Sequence, residues 1–368
     1  MVNILKMKKI TCFTANLASG GAEHQMAILC NMLSEYGYEI TLVTYNDLPD
    51  EYKLERGIKR VRLNLSGNSL CKELKVFRYF LKVDTDCIIS YRSTPNFMVA
   101  MPLLLRRGIK LICGERNTTV KPNKMELMNY NLLYYRTNYV VPNSYTQAEY
   151  LKGLNKAWGK RVVPITNYTA LDEFLPTPLP SNSDKLLLIG VFARIFPQKN
   201  YERLCKVLSL LKNRTDRKFK LVWYGEREDM EHAKGSEHIH QLIENLNIDD
   251  VLEVRPSVVD VVGKMQQFHV MCLPSLYEGF SNSLAEYICC GKPVVCSDVS
   301  DNSIMVHHGE NGFLFDPKDE ESICSAFLQL FALNEEQLFE MGRKSRMISE
   351  CIFDKSKFVN SYIDLIEN

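Results

Sequence analysis

The sequence predicts an α/β protein built of two parallel-sheet domains in tandem, and three observations carry that expectation. At 368 residues the chain exceeds one ordinary hydrophobic core and falls short of three. Short β-branched or apolar runs alternate with longer helical stretches, as they do when helices wrap a parallel sheet. The alternation stops at a proline-rich segment, residues 169–185, and then begins again.

In the first half "KKITCFTANL" reads as strand, "AEHQMAILCNMLSEYGY" as helix and "EITLVTYN" as strand. "VRLNL", "CIISY", "KLICGE", "YVVPNS" and "RVVPIT" continue the strands, with helices expected to begin near Cys71, Pro95, Lys124 and Tyr145. "TALDEFLPTPLPSNSDK" holds three prolines and no sustained periodicity, as a surface linker does. Beyond it "LLLIGVFAR", "FKLVWYGE", "VLEVRP", "VMCLPS" and "KPVVCSD" read as strands, and from residue 319 only helical pattern remains. The expected domains are 1–175 and 176–345. A helical tail, 346–368, is expected to pack back on the first domain.

The composition is globular: 46% hydrophobic, 24% charged and net +1, which argues against disorder and against a generic nucleic-acid binder. The total conceals an imbalance. Residues 1–175 carry 24 Lys and Arg against 15 Asp and Glu, and residues 176–368 carry 21 against 29. Either the first half faces something anionic or its cations are solvated helix faces. Twelve cysteines form no Cys-x-x-Cys pair, and Cys30, Cys113, Cys272 and Cys296 lie in apolar runs, so a reducing cytosol is expected. The first residues lack a signal pattern and no apolar run nears the ~20 residues that cross a bilayer, so any membrane role is expected to be peripheral.

Chemistry is expected at three places. "NLASGGAEHQ" sets Gly20 and Gly21 before a helix, where backbone amides can approach a phosphate; a tight strand-to-helix turn explains such a pair more often than not. The dinucleotide fingerprint Gly-x-Gly-x-x-Gly is absent, which weakens a dehydrogenase reading. "GVFARIFPQKN" puts Arg194 and Lys199 at the carboxyl end of a strand, where open α/β sheets bind ligands and two cations could neutralise a diphosphate. In "YEGFSNSLAEYICC", Glu278 precedes a Gly in the exit loop of a strand and Glu286 follows eight residues later on a helix. Ser283 and Glu286 fit a capping box, a structural alternative for Glu286 that leaves Glu278 unexplained. Two carboxylates flanking an amide-rich turn suit a ligand with hydroxyls at both ends and phosphate between, which describes a nucleotide sugar.

Together, Gly-Gly-Ala-Glu, Arg194 with Lys199, Glu278-Gly-Phe-Ser-Asn with Glu286, Gly-Lys-Pro-Val-Val-x-Ser-Asp and Asn-Gly-Phe-Leu resemble the family 4 (group 1) retaining glycosyltransferases of the GT-B fold, in order over nearly the whole chain. The resemblance implies two Rossmann-like domains with a cleft between them, the donor held by the second and the acceptor by the first. It implies that Arg194 and Lys199 bind the diphosphate, Glu278 the donor sugar and Glu286 the ribose. Gly279, Phe280, Ser281, Asn282 and Ser283 would line phosphate and sugar, with Gly20 and Gly21 closing from the other domain. Where many relatives place a histidine, this chain has Glu115, Arg116 and Asn117, and "ERN" resembles a subset acting on bacterial surface polysaccharides; Glu115 is the acceptor-side catalytic candidate. Asn167-Tyr168 replaces the usual Asn-Gly before the linker.

The expected reaction retains anomeric configuration and needs no metal or cofactor, the nucleotide sugar (UDP-linked by expectation) being a substrate. A nucleotide-sugar epimerase of the same fold and a non-catalytic binding subunit are the alternatives. "DTD" at 84–86 imitates a metal-binding Asp-x-Asp but lies between a helix and the strand "CIISY", where solvated acids are common, and His238, His240, His307 and His308 lack convincing ligand spacing, so no metal site is expected. Residues 72–83, 102–110 and 121–136 mix cations with large apolar groups. With the basic first half they point to a polyprenyl-diphosphate-linked glycan acceptor and an anionic membrane surface on the cytoplasmic side, with no nucleic-acid partner.

Overall fold

The computed structural model describes residues 7–18, 20–46, 48, 52–63, 65, 69–116, 124–154, 156–176, 178–180, 185–227 and 233–368. Asn117, the start of the basic stretch at 121 and the linker residues 181–184 lie outside them. The chain divides into two compact units, Met1–Tyr168 with Lys355–Asn368, and Thr169–Asp354.

The first unit is a six-stranded parallel sheet of β1 (Lys9–Thr14), β2 (Glu39–Thr44), β3 (Lys59–Arg62), β4 (Cys87–Tyr91), β5 (Lys110–Glu115) and β6 (Tyr139–Pro142), in the order β3-β2-β1-β4-β5-β6. The helices α1 (Gly21–Glu35), α2 (Ser69–Lys82), α3 (Ser93–Leu103), α4 (Lys124–Arg136) and α5 (Tyr145–Leu154) make the crossovers. Both faces of the central strands are covered, so Cys87–Tyr91 is buried without alternation. In α1 the buried Met26, Leu29, Cys30 and Leu33 recur at helical spacing, and Gly37, at φ 88, turns the chain back into β2.

The second unit repeats the plan with β7 (Leu187–Phe192), β8 (Phe219–Glu226), β9 (Leu252–Pro256), β10 (Val270–Leu273), β11 (Val294–Ser297) and β12 (Gly312–Phe315), in the order β12-β11-β10-β7-β8-β9. Its helices are α6 (Tyr201–Lys212), α7 (Ala233–Leu246), α8 (Val261–Met265), α9 (Asn282–Cys289), α10 (Asn302–Met305), α11 (Glu320–Phe331) and α12 (Glu335–Ile352). Leu187, Ile189 and Val191 of β7 face a core shared with α6 and α11, whereas Phe192 faces the other core, with Leu284, Tyr287 and Ile288 of α9. The last helix, α13 (Lys355–Glu367), belongs to the first unit, where it buries Phe358, Val359, Tyr362 and Ile366.

Four expectations shift. "RVVPIT" forms no strand: Val162 makes a single bridge to Val140, and although Ile165 N donates to the Pro142 carbonyl, Pro142 has no N–H to give the Val163 carbonyl, so the ladder stops. "GFLF" is a strand, β12, that the sequence reading passed over. The units divide at 168/169 rather than 175/176, because Phe174 is buried in the second unit's core and Arg346 donates to the carbonyls of Leu171 and Phe174. The return to the first unit comes at Lys355 rather than 346, since α12 runs unbroken through 345 from a capping box of Asn334 and Gln337. Among the described residues no helix is long and apolar enough to cross a membrane.

Candidate active site

In the second unit the chain leaves β7 toward β8 and β9, then returns to β10 and continues outward, so the strand order reverses between β7 and β10. Ligands of open α/β sheets bind at the carboxyl edge of such a reversal. The loop after β7 holds exposed Arg194 and a short 3-10 turn, Pro197–Lys199, closed by Asn200 in the left-handed conformation at φ 56. The Asn200 side-chain amide anchors that turn on the carbonyl of Pro317 at 2.8 Å.

The loop after β10 is laced to it. Leu276 N donates to the Gln198 carbonyl at 2.8 Å, and Gln198 Nε2 to the Tyr277 carbonyl at 2.8 Å. The result is an ion pair between Lys199 Nζ and Glu278 Oε1 at 2.5 Å, both side chains largely buried. Two residues that the sequence separates by 79 positions and two different roles are thus each other's partners. Arg194 has no such partner among the described residues and stays at the surface of the same edge.

The helix that follows is held against the end of β7. Ser283 Oγ donates to the Phe192 carbonyl at 3.2 Å, and Phe192 N donates to Tyr287 Oη at 2.9 Å. Ser281 caps α9, its Oγ accepting from Leu284 N, so the capping box expected of Ser283 and Glu286 is not formed: Ser283 lies inside the first turn and Glu286 one turn beyond it. Phe280, expected beside the donor, is a core residue 3% exposed, its ring against Phe353. It anchors the loop, whose neighbours Gly279 and Asn282 remain partly exposed.

Glu286 retains some surface, yet desolvation of its carboxyl pushes the pKa up to about 8. No hydrogen bond or ion pair reaches that carboxyl among the described residues. A desolvated, unsatisfied acceptor one turn into a helix at the ligand edge is poised to take hydroxyl donors.

Sequence reasoning missed Gly225. A Cβ there would fall 1.8 Å from the Ala193 carbonyl oxygen, which Trp223 Nε1 holds at 2.6 Å, so only glycine lets β8 support the β7 loop. The Gly inside "FKLVWYGE", a strand otherwise built of large residues, was the available signal. The unit's cavities lie beside the expected residues. One of about 650 Å³ is lined by Leu276, Asp298, His308 and Asp316, and one of about 230 Å³ by Asn200, Glu202, Arg203 and Leu276.

In the first unit, Gly20 has a structural reason of its own. Gly20 N donates to Tyr52 Oη at 3.2 Å, and a Cβ on Gly20 would fall 2.3 Å from Glu23 Oε2. Glu23 is buried in the first turn of α1 and accepts from Arg92 at 2.8 Å, so a carboxylate of the protein already answers the positive helix end. Arg92 holds φ 78 at the exit of β4, with its N–H on the Gly114 carbonyl.

Glu115, the acceptor-side candidate, ends β5 only 1% exposed, with Asn96 Nδ2 at 3.4 Å. Desolvation raises its pKa to about 7, against hydrogen bonds from Asn96 and Ser93 and the charge of Arg116. The residue expected to act on the acceptor side is thus a core carboxyl at the carboxyl end of β5. Arg116 is also buried: it stacks 3.9 Å over the Tyr91 ring and donates to Tyr362 Oη at 2.6 Å and Asn167 Oδ1 at 3.1 Å.

The groups set aside have local partners. Asp84 pairs with Lys9, and Asp86 accepts from Lys9 N, at the amino ends of β1 and β4, opposite the ligand edge. His238 meets Tyr201, His240 meets Glu226, and His307 meets Glu310. Cys71 aside, the cysteines are free thiols, all buried but Cys351.

Residues 176–346 match the family described as glycosyl transferases group 1. A glycosyltransferase of Haemophilus influenzae with no assigned substrate is 27% identical over 94% of this chain and 96% of its own length. The N-acetylgalactosamine-N,N'-diacetylbacillosaminyl-diphospho-undecaprenol 4-alpha-N-acetylgalactosaminyltransferase of Campylobacter jejuni is 24% identical over 95% of this chain and 97% of its own. The solved structure of Anabaena Alr3699/HepE in complex with UDP and glucose superposes with a TM-score of 0.82 at 17% identity, over 98% of this chain and 99% of that one, which shows a shared fold.

Proposed function

We propose that this chain, whose residues 176–346 match the group 1 glycosyl transferases, moves a sugar from a nucleoside-diphosphate sugar, UDP-linked, to a lipid-linked glycan with retention of configuration. The observation that carries this reading is the Lys199–Glu278 pair beside exposed Arg194 and unsatisfied Glu286, all at the strand-order reversal. A donor entering there would exchange partners with the pair. Its diphosphate takes Lys199 and Arg194, its sugar hydroxyls donate to Glu278, and its ribose hydroxyls donate to Glu286. The Anabaena structure holding UDP and glucose supports the donor class, and the Campylobacter transferase, named for an undecaprenol-linked acceptor, supports the acceptor class.

In the transfer step the bond between the anomeric carbon and the diphosphate oxygen breaks, its electron pair leaving with the phosphate. The acceptor hydroxyl oxygen bonds that carbon on the same face, and its proton passes to the departing phosphate oxygen. No side-chain nucleophile or metal is required, because Arg194 and Lys199 stabilise the charge that develops. The product extends a surface polysaccharide or related glycan on the cytoplasmic side of the membrane. Thermal stabilisation across a panel of nucleotide sugars identifies the donor, since a ligand bound only by the folded state raises its melting temperature. The stabilising sugar nucleotide is then supplied with and without lipid-linked glycan. Transfer only with the acceptor is expected; epimerised donor in its absence, or no turnover with any acceptor, overturns the reading.

A further inference from the structure

At the amino-terminal edge of the first unit's sheet, where Asp84 and Glu367 are taken up by Lys9 and Lys8, a group of cations has no carboxylate partner of its own. Segments 104–110, 135–139 and 158–161 contribute Arg106, Arg107, Lys110, Arg136, Lys160 and Arg161 and contain no Asp or Glu. None of the six pairs with a carboxylate among the described residues, whereas Lys8, Lys9, Arg92, Lys152 and Lys355 of the same unit each have one. Four of them, Lys110, Arg136, Lys160 and Arg161, line a hollow of about 390 Å³ with Tyr135.

Two large apolar side chains stand out from this edge, Leu105 at 75% and Tyr135 at 80% exposure. They are held together by Arg136, which donates to the carbonyls of Leu103, Arg106 and Ile109 and so binds the Leu105 loop to the residue beside Tyr135. Of the stretches that suggested a membrane in the sequence, α2 spends Val76 and Phe80, and α4 spends Tyr130, Leu133 and Tyr134, on the core. Among the described residues α2 sets Leu74 outward beside Lys75 and Arg78, whereas Leu105 and Tyr135 together set two large apolar groups outward among unpaired cations.

We propose that this edge is the surface by which the protein sits on an anionic phospholipid bilayer, with Leu105 and Tyr135 entering the headgroup layer and the cations meeting lipid phosphates. This rests on the peripheral-membrane reading and narrows it to one edge. Unpaired cations alone would suit any polyanion; the protruding Leu and Tyr favour a lipid surface, which an aromatic or aliphatic group can enter. The six residues of β5 put about 20 Å between this edge and the carboxyl edge that ends in Glu115, so the orientation favours acceptors whose glycan already stands off the membrane.

The test is co-sedimentation of the full chain with vesicles of equal parts phosphatidylglycerol and phosphatidylcholine, and with phosphatidylcholine alone. Leu105→Ser with Tyr135→Ser, and Arg107→Glu with Lys160→Glu, alter exposed side chains that support no core. Each pair is expected to weaken binding to the anionic vesicles by at least about tenfold, while the thermal shift by donor is unchanged. Lys75→Glu with Arg78→Glu on α2 makes the same charge change elsewhere and is expected to change binding by less than about threefold. Wild-type binding lost equally to the α2 pair overturns this edge and leaves the peripheral-membrane reading standing. Absence of wild-type binding to anionic vesicles, or binding to a soluble polyanion such as heparin without binding to vesicles, overturns both.

Discussion

Replacing Glu286 by Gln separates a ligand-binding carboxyl from a structural one through pH. Burial lifts this carboxyl from an ordinary 4.5 to about 8, so in the free protein at neutral pH only about a tenth of it is ionised. Ribose hydroxyls that donate to the carboxylate select the ionised form, and binding must then release a proton. The donor dissociation constant is therefore expected to tighten about tenfold per pH unit from about pH 6 toward 8 and to level off above that. A nucleotide sugar is the right probe, because its diphosphate diester does not titrate in this window, whereas a free nucleoside diphosphate does. In Glu286→Gln the slope should vanish and affinity become flat.

Stability follows the opposite course. A carboxyl whose folded pKa lies above its unfolded value favours folding at acid pH, and that advantage fades as pH rises from about 4.5 through about 8. The full shift corresponds to a ceiling of about 5 kcal/mol; the partial exposure of Glu286 and solvent screening reduce it to about 2. Glu286→Gln is thus expected to raise the melting temperature by several degrees near pH 9 and to leave it nearly unchanged near pH 5, on a scale of ~2–4 °C per kcal/mol. Calorimetric titration of donor across the pH range, paired with thermal unfolding, reads both effects. A wild-type dissociation constant flat between about pH 6 and 9, or the same slope persisting in Glu286→Gln, refutes the assignment.

Arg194→Ala should lower turnover by at least about a hundredfold with the melting temperature within about a degree, since an exposed loop cation does little for stability. Lys199→Ala should cost turnover and also about 2–3 kcal/mol of stability, because it strips the ammonium partner from a buried Glu278; unfolding in urea distinguishes the two variants. Glu115→Gln should stabilise the protein above about pH 7 and be neutral near pH 5, while turnover stays within about threefold; a hundredfold loss with folding intact would restore Glu115 to the chemistry. Tyr362→Phe removes the hydroxyl that Arg116 and Tyr91 share and should cost about 2 kcal/mol, visible as faster proteolysis ahead of α13.

The second unit was the more legible because its chemistry is written locally. Arg194 and Lys199 lie in one strand-exit loop and Glu278 to Glu286 in the next, so recognising two strands was enough to put all four at one edge. The errors there were errors of geometry. Ser281 and Ser283 are both competent caps, and which one serves is decided by the turn at Gly279 and Phe280 rather than by the Ser-x-x-Glu pattern. That Lys199 and Glu278 neutralise each other required the lacing of Gln198 to Leu276 and Tyr277, backbone contacts on which composition is silent. Gly225 passed unnoticed because its reason, the Ala193 carbonyl, lies 32 positions earlier in the chain.

The first unit resisted reading because its edge is assembled from the whole length of the chain. Glu23 is answered by Arg92, 69 residues away, and that pair, with the collision it would make with any side chain at position 20, accounts for a glycine that looked like a phosphate site. Arg116 is held by Tyr91, Asn167 and Tyr362, the last 246 residues distant on the helix that returns from the second unit. No spacing rule links these groups. Since Gly114 must lack a side chain to leave room for the Tyr91 ring at 2.4 Å from where its Cβ would stand, the "GER" of β5 encodes a stacked, buried guanidinium as much as a reactive acid. Variants of Glu115 and of the residues this network leaves at the surface that cost turnover without moving the melting temperature identify the catalytic group on the acceptor side.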